Sequence, residues 1–348
     1  MTNEVHIVGV GARTPLGLNA ESSIAALRAG IARIEEDSFF LDRQGEPVRL
    51  ALDAELNPRL TGPERFTKMA VTALEEVCNV LTKKTPDVGN IPLFLGLPAE
   101  RPGWTRNDMQ LVRDQLARKT FPVQLHPIEL FPFGHAAGLL ALDAACQMIH
   151  TRQRSVCVIA GIDSYRNFDT LEWLHQNRQL ATPYHRGAFF PGEGVGVVAV
   201  ATESMARRHQ WKTLGRIRGI GVAIESNTIK TDTVCMGEGL TACIRKAVSG
   251  LRFPGEAIDG IICDINGERY RAEEWGFALL RLPEVFVDPT GYDLPTSCWG
   301  DMGAASGPLA MVTAVKASQK GWAKGARYLI WNSSEGGQRA AVSLELNA

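Results

Sequence analysis

Short apolar runs alternate along the chain with longer stretches whose apolar positions recur every three or four residues. The short runs predict β-strands at residues 5–10, 91–95, 155–159, 194–201, 261–263, 328–331 and 341–346. The longer stretches predict helices at 22–29, 64–81, 105–119, 136–151, 240–251 and 304–320. Such alternation predicts an α/β architecture.

The elements recur in a fixed order. A helix at 64–81 followed by a strand at 91–95 is matched by a helix at 240–251 followed by a strand at 261–263. The segment Ala137-Gly-Leu-Leu-Ala-Leu142 is similar to Ser306-Gly-Pro-Leu-Ala-Met311, and a strand follows each. The opening strand has a weaker counterpart around 216–222. The offset is about 170 residues, near half of the chain, which is too long for a solenoid. It predicts two copies of one α/β half, fused and packed on each other, at 1–210 and 211–348.

Composition narrows the class. With 37 basic and 38 acidic side chains, the net charge is -1, and 45% of residues are hydrophobic. This excludes a disordered chain and argues against a nucleic-acid binder, which carries a clustered basic excess. No run of eighteen apolar residues predicts a membrane span. The opening MTNEVHIVGVGARTP has an acidic residue where a signal peptide needs positive charge, so a cytoplasmic location is expected. Seven cysteines (78, 146, 157, 235, 243, 263 and 298) form no C-x-x-C pair. Reduced, mostly buried thiols are expected, with no disulfide frame, no zinc site and no cofactor. Gly9-Val-Gly11 after a strand mimics a dinucleotide fingerprint but lacks its third glycine, since position 14 is Thr14. Gly192-Glu-Gly-Val-Gly196 leads into a strand and is expected to be a tight turn that permits close backbone packing.

Several words, in order, resemble those of β-ketoacyl synthases. Val5-His-Ile-Val-Gly-Val-Gly-Ala-Arg-Thr-Pro-Leu-Gly17 resembles that family's opening strand and turn. Val158-Ile-Ala-Gly-Ile-Asp163 resembles "IAGGAE". Residues 186–198 are similar to "RDGFVMGEGAGVL". Gly303-Ala-Ala-Ser-Gly307 resembles "GAAG", and Asn332-Ser-Ser-Glu-Gly-Gly337 resembles "NSFGFGG". The resemblance runs from near the start of the chain to near its end. It implies the thiolase-like fold, two duplicated α/β halves in α-β-α-β-α layers. The chain is shorter than typical members, so reduced loops are expected.

The resemblance also implies a site: a cysteine at a helix N-terminus to carry the acyl group, and two histidines to polarise the malonyl thioester. Here the cysteine word reads Phe133-Gly-His-Ala-Ala-Gly138 and places His135 at that position. The first histidine word reads Cys263-Asp-Ile-Asn-Gly-Glu268, with Asn266 at the position. The second reads Cys298-Trp-Gly-Asp-Met-Gly-Ala-Ala305. Strict spacing gives Gly300 there, and a one-residue gap gives Asp301. The terminal gate reads Ser334-Glu-Gly-Gly-Gln338. All three catalytic side chains are thus replaced.

The candidate catalytic positions are therefore His135, Asn266, Asp301 and Cys298, and the candidate binding positions are Trp299, Gly300, Glu335, Gly336 and Gly337. His135 is expected to be neutral, because a helix N-terminus disfavours an imidazolium. Cys298 is either a displaced nucleophile or, more commonly for a lone cysteine, a buried thiol. Asp264, Glu268, Asp301 and Glu335 form either an acidic rim that repels malonyl carboxylates or four solvated loop carboxylates. Trp104, Trp173, Trp275 and Trp299 are either exposed anchors for a partner or half-buried. The helix at 105–119 is either an ordinary amphipathic surface helix or, as the resemblance implies, close to a dimer interface.

Three functions follow. The first is a catalytically degenerate protein that binds another protein as scaffold, adaptor or chaperone, for a secreted effector or as a chain-length-factor-like partner. The second is an acyltransferase of β-ketoacyl-ACP synthase type that acts on thioesters through His135, Asn266 and Cys298. The third is a non-catalytic acyl-thioester binder. A homodimer or heterodimer is expected, with an acyl carrier protein, a ketosynthase partner or an effector cargo as the protein partner, and no nucleic acid or membrane.

Overall fold

The computed structural model describes residues 4–42, 44–84, 88–228 and 231–347. The first half contains β1 (Val5–Arg13), α1 (Ala20–Arg28), β2 (Glu35–Leu41), β3 (Pro47–Leu50), α2 (Gly62–Thr82), β4 (Asn90–Leu97) and α3 (Arg106–Ala117). It continues through β5 (Gln124–Pro132), α4 (Ala137–His150), β6 (Val156–Ser164), α5 (Phe168–Gln176), β7 (Glu193–Thr202) and α6 (Glu203–Arg208). The second half contains β8 (Gly215–Ile224), α7 (Glu238–Ala247), β9 (Gly260–Cys263), α8 (Arg269–Leu280), β10 (Tyr292–Asp293) and α9 (Thr296–Trp299). It ends with α10 (Ser306–Gln319), β11 (Arg327–Ser333) and β12 (Gln338–Leu346).

Strand order carries the duplication. The large sheet runs β10-β9-β11-β12-β8-β1-β7-β6-β4-β5. Counted outward from the centre, each half has the same succession. An antiparallel pair (β1–β7, β8–β12) is followed by a second antiparallel pair (β7–β6, β12–β11) and then by parallel strands. Within the sheet, the halves meet where Val5–Ile7 of β1 pair with residues 215–217 of β8.

Burial explains the layers. One core lies between the halves, around Leu139, Leu142, Leu309, Val312 and Ile330. A second lies between the first half's sheet and α2 and α3, and a third between the second half's sheet and α7 and α8. α10 is apolar almost all round and is buried over 307–315, whereas α2 keeps a polar face outward. A helix apolar on every side must be enclosed, and α10 touches strands of both halves. Two glycines let these layers approach. A Cβ on Gly138 would stand 2.3 Å from Pro308 Cδ, and one on Gly161 would stand 2.4 Å from the Ala304 carbonyl oxygen.

The structure revises several sequence expectations. The predicted strands and helices are present with bounds moved by a few residues, and β8 contains the weak repeat of the opening strand. The chain 192–196 is not a tight turn: Glu193 to Gly196 already belong to β7, and the glycines let the chain approach Trp299, Arg13 and Leu309 closely. Gly9 and Gly11 also lie inside a strand, and a Cβ on Gly11 would meet the Ala73 carbonyl oxygen at 2.5 Å. Trp104, Trp275 and Trp299 are buried in the cores, so only the half-buried Trp173 reaches a surface cavity. The sequence pattern missed β2, β3, β5, β10, α5, α6, α8 and α9.

Candidate functional site

The starts of α4 and α10 face each other across the seam between the halves. Each helix is preceded by one tight turn, Gly134–Ala136 and Gly303–Ala305, opened by a glycine with positive φ. At Gly303 the need is strict, because a Cβ there would stand 1.9 Å from the Asp163 carboxylate. His135 sits in the first turn, and its Ala136 N–H donates to Ser334 Oγ at 2.9 Å. Asp301 directly precedes the second turn, and its Oδ1 accepts the Gly303 N–H at 2.8 Å.

The two turns bring His135 and Asp301 into contact. His135 Nε2 lies 2.9 and 3.0 Å from the two Asp301 carboxylate oxygens. Asn266, on the loop after β9, donates from Nδ2 to Asp301 at 2.6 Å. The Tyr165 hydroxyl, after β6, donates to Asp301 at 2.9 Å. Arg271 lies behind, fully buried. It donates to Asp264 at 3.0 Å, to Glu268 at 3.1 Å and to the Ser333 carbonyl at 2.8 Å. Its Nη2 stands 3.4 Å from His135 Nε2. In the first half, Arg101 donates to Asp163 at 2.6 Å and lies over the Tyr165 ring at 4.3 Å. Asp163 in turn accepts the Ala304 N–H at 2.9 Å. Gln179 donates to Glu268 at 2.9 Å and also to Glu335.

Charge in this cluster sets the proton on His135. Burial disfavours the imidazolium, but the adjacent Asp301 carboxylate outweighs both burial and the Arg271 charge and raises the His135 pKa. Burial likewise opposes the Asp301 charge. His135 and then Arg271 outweigh it and hold the Asp301 pKa well below the usual carboxylate range. Burial and Asp301 push Tyr165 well above an ordinary phenol, which keeps its hydroxyl a donor. The shift runs opposite to the expectation that the helix end keeps His135 neutral. The helix end acts on the ring through partial charges, whereas Asp301 presents a full carboxylate at hydrogen-bond distance.

Other expectations are corrected as well. Asp264, Glu268 and Asp301 form neither an exposed rim nor a solvated set: all three are buried and bonded to Arg271, His135 or Asn266. Cys298 is half-buried and lines a different cavity of about 200 Å³, beside Arg28 and Trp322. Trp299 is buried in the core between the halves. Gly300 has φ 72° and turns the chain ahead of Asp301, so the residue reaching the site is the one that the one-residue gap selects. Glu335 and Gly336 line the cavity in front of His135. Gly337 instead closes a turn, its N–H donating to Ser334 and its carbonyl accepting the Glu225 N–H.

That cavity has a volume of about 310 Å³, with Phe133, Tyr165, Trp173, Leu174 and Phe189 in its wall. α5 brings Trp173 and Leu174 to it, and Asn167 caps that helix by accepting the Asp169 and Thr170 N–H groups. His135 is in the wall, whereas Asp301, Asn266 and Arg271 lie behind it. A ligand in the cavity reaches one imidazole and no thiol. Sequence reasoning missed Tyr165, Arg271, Arg101 and Asp163. Tyr165 and Arg101 lie just beyond the C-terminal ends of β6 and β4 and Asp163 at the end of β6, whereas Arg271 lies in the first turn of α8.

The layered, duplicated architecture defines a thiolase-like fold. Solved structures with this fold include the ishigamide ketosynthase/chain length factor (TM-score 0.82, 16% identity, 100% of both chains covered). A second is the AntDE:AntF complex, described as a type II PKS acyl-carrier protein with its ketosynthase bound to the hexaketide (TM-score 0.81, 12% identity, 100% of both chains). A third is the ketosynthase from module 6 of the bacillaene synthase of Bacillus subtilis 168 (TM-score 0.79, 12% identity, 99% of this chain and 72% of that one). No protein-family model and no curated protein matches the chain. The fold is therefore that of ketosynthases and chain length factors. Among the described residues, no helix is long and apolar enough to cross a membrane.

Proposed function

We propose that this protein is a catalytically degenerate member of the ketosynthase-like proteins that works by binding another protein, as a scaffold, adaptor or chaperone. One observation carries the reading. His135 and Asn266 are both bonded to Asp301, and these are the three positions that the sequence resemblance aligns with a condensing enzyme's thiol and two histidines. An ionic hydrogen-bonded cluster fills the place where an acyl-enzyme and an enolate would have to form. The neighbours in fold include a ketosynthase/chain length factor and a ketosynthase complex with an acyl carrier protein, which supports a protein partner. That partner is a ketosynthase-like chain, an acyl carrier protein or an effector cargo, met in the cytoplasm. The edge strand β5 supplies a ladder of backbone groups for a second copy or a heterologous partner. The halves on this reading are 1–210 and 211–348.

The test is mass spectrometry of the purified chain after incubation with acyl- and malonyl-thioester carriers, beside a His135→Ala variant. Unchanged thioesters in both samples are expected. A covalent adduct or released CO₂ that depends on His135 overturns the reading and restores the acyltransferase. Saturable thioester binding without turnover would select the acyl-binding alternative, which the aromatic wall of the 310 Å³ cavity favours.

A further inference from the structure

A second knot of buried charge lies past the C-terminal end of β8, one turn of α8 from Arg271 of the His135 cluster. Glu225 directly follows β8, Cys235 stands on the loop before α7, and Glu274 belongs to α8. One carboxylate oxygen of each glutamate and the Cys235 sulfur lie within 4.8 Å of one another. Both glutamates are buried, Glu274 with no exposed surface, while Cys235 is half-buried. Glu274 Oε1 accepts a hydrogen bond from Arg339 Nε at 2.5 Å, but its Oε2 is buried with no hydrogen-bond partner. Glu225 accepts the Gly239 N–H at 2.8 Å and the Asn227 N–H at 3.3 Å. Glu274 is paired with Arg339 through one oxygen and lies one helical turn from Arg271. Among the described residues, Glu225 is held only by backbone N–H groups, and the unpartnered Glu274 Oε2 belongs to the same cluster as the Cys235 thiol. A buried charge without a partner is strongly disfavoured, so the geometry asks for one more cation.

We propose that Glu225, Cys235 and Glu274 bind a divalent transition metal, zinc being the ion their donors suit. A thiolate with two carboxylates is a mixed soft and hard set, which zinc accepts. Magnesium and calcium prefer all-oxygen shells and would leave the sulfur unused. Two carboxylates and a thiolate around a divalent ion carry one net negative charge, and Arg339 offsets it. Arg339 also holds Glu274 by Oε1, which leaves Oε2 directed to the metal, as outer partners of metal ligands do. Binding forms the metal–sulfur bond and releases the thiol proton to solvent. A water takes the fourth position. Zinc–sulfur bonds of about 2.3 Å and zinc–oxygen bonds of about 2.0–2.2 Å require the Cys235 loop to close slightly on the two glutamates. The ligands come from three separated segments, which is why no sequence motif announces them. Metal bound there would tie the loop after β8 to α8.

The test titrates the chelator-treated full-length chain with zinc chloride, then with cobalt(II) chloride, whose thiolate complexes show a near-ultraviolet charge-transfer band. One equivalent of metal is expected to bind, with the band present in the wild type and in Cys298→Ser and lost in Cys235→Ser. Glu274→Gln is expected to weaken binding, but it also removes the partner of Arg339, so Cys235→Ser decides. Metal binding of equal strength in wild type and Cys235→Ser, a band that survives Cys235→Ser, or no binding at all overturns the proposal.

Discussion

Replacing Asp301 by asparagine keeps the side chain's shape and removes a charge and an acceptor. In the wild type, Asp301 accepts hydrogen bonds from His135, Tyr165, Asn266 and the Gly303 N–H. An asparagine that keeps its oxygen toward Tyr165 and Gly303 turns its NH₂ onto the Asn266 amide, donor against donor. One buried donor left unmatched costs about 1–3 kcal/mol. The charge matters more, because His135 and Arg271 then stand 3.4 Å apart with no carboxylate between them. Removing one partner of a buried ion pair costs about 3–5 kcal/mol, and the two penalties overlap, so about 3–5 kcal/mol is expected in total at pH 6. Urea unfolding followed by circular dichroism measures it. The pH dependence supplies a second arm. The folded pKa of His135 is raised, so its contribution is complete below the unfolded value of about 6.5 and is lost as pH rises through the folded value. The Asp301 pKa is lowered, so its contribution is present above about 3.9 and is lost as pH falls toward the folded value. Wild type should therefore hold the pair's full stabilisation between about pH 4 and 6.5 and lose it on the alkaline side by at most about 1.4 kcal/mol per pH unit. Asp301→Asn should lack that alkaline loss. A penalty below about 1 kcal/mol, or the same alkaline slope in both proteins, would refute the assignment of His135 and Asp301 as an ion pair.

Three further outcomes are expected. Gly161→Ala places a methyl 2.4 Å from the Ala304 carbonyl and should lower the melting temperature by an overpacking cost of about 1–3 kcal/mol. Gly187→Ala, which meets nothing within 4 Å, should melt like wild type. Arg65→Met strands the fully buried Glu193, which Arg65 holds at 2.5 and 2.6 Å, and should cost about 3–5 kcal/mol in urea unfolding. Adding Glu193→Met should recover part of that loss, though not all, because the Asp53 N–H and the Ser164 hydroxyl lose their acceptor. If β5 is a dimer edge, Ile128→Asp should lower the mass in light scattering while circular dichroism stays that of wild type, the control being needed because Ile128 also packs on the second core; an unchanged mass would remove that edge from the interface.

The parts of the fold that were legible are those whose burial is two-sided. β4 and β6 are covered on both faces, and their sequences are near-continuous apolar runs. β5 is half-exposed and carries two prolines, so neither period shows. α8 escaped because its inward face carries Arg271 and Glu274, which read as surface charges until their partners Asp264, Glu268 and Arg339 are in place. The site followed the same rule. His135, Asn266 and Asp301 were visible as substituted words in familiar places, but their pairing spans 166 positions in one case and 35 in the other. The direction of the His135 shift is not readable for the same reason, since a local helix end is visible in sequence and a carboxylate from the other half is not.

On the proposed reading, the residues at His135, Asn266 and Asp301 make sense as a set. A condensing site needs groups that stay unsatisfied until substrate arrives: a free thiolate, and donors aimed at an oxyanion that has not yet formed. Here each position holds a group that satisfies a neighbour. His135 and Asp301 neutralise each other, Asn266 bridges Asp301 to Glu268, and Arg271 closes the back through Asp264 and Glu268. His135, Tyr165, Asp163 and Gln179 come from the first half, and their partners Asp301, Ala304 and Glu268 from the second. The seam between duplicated halves, which in a ketosynthase-like enzyme would have to hold space for two substrates, is bonded shut behind His135. Strain and vacancy at an active site lower stability, so on the proposed reading a filled site would yield a stiffer scaffold. A rigid seam with an open edge strand suits a protein whose work is to present a surface, which is the property the partner-binding reading requires.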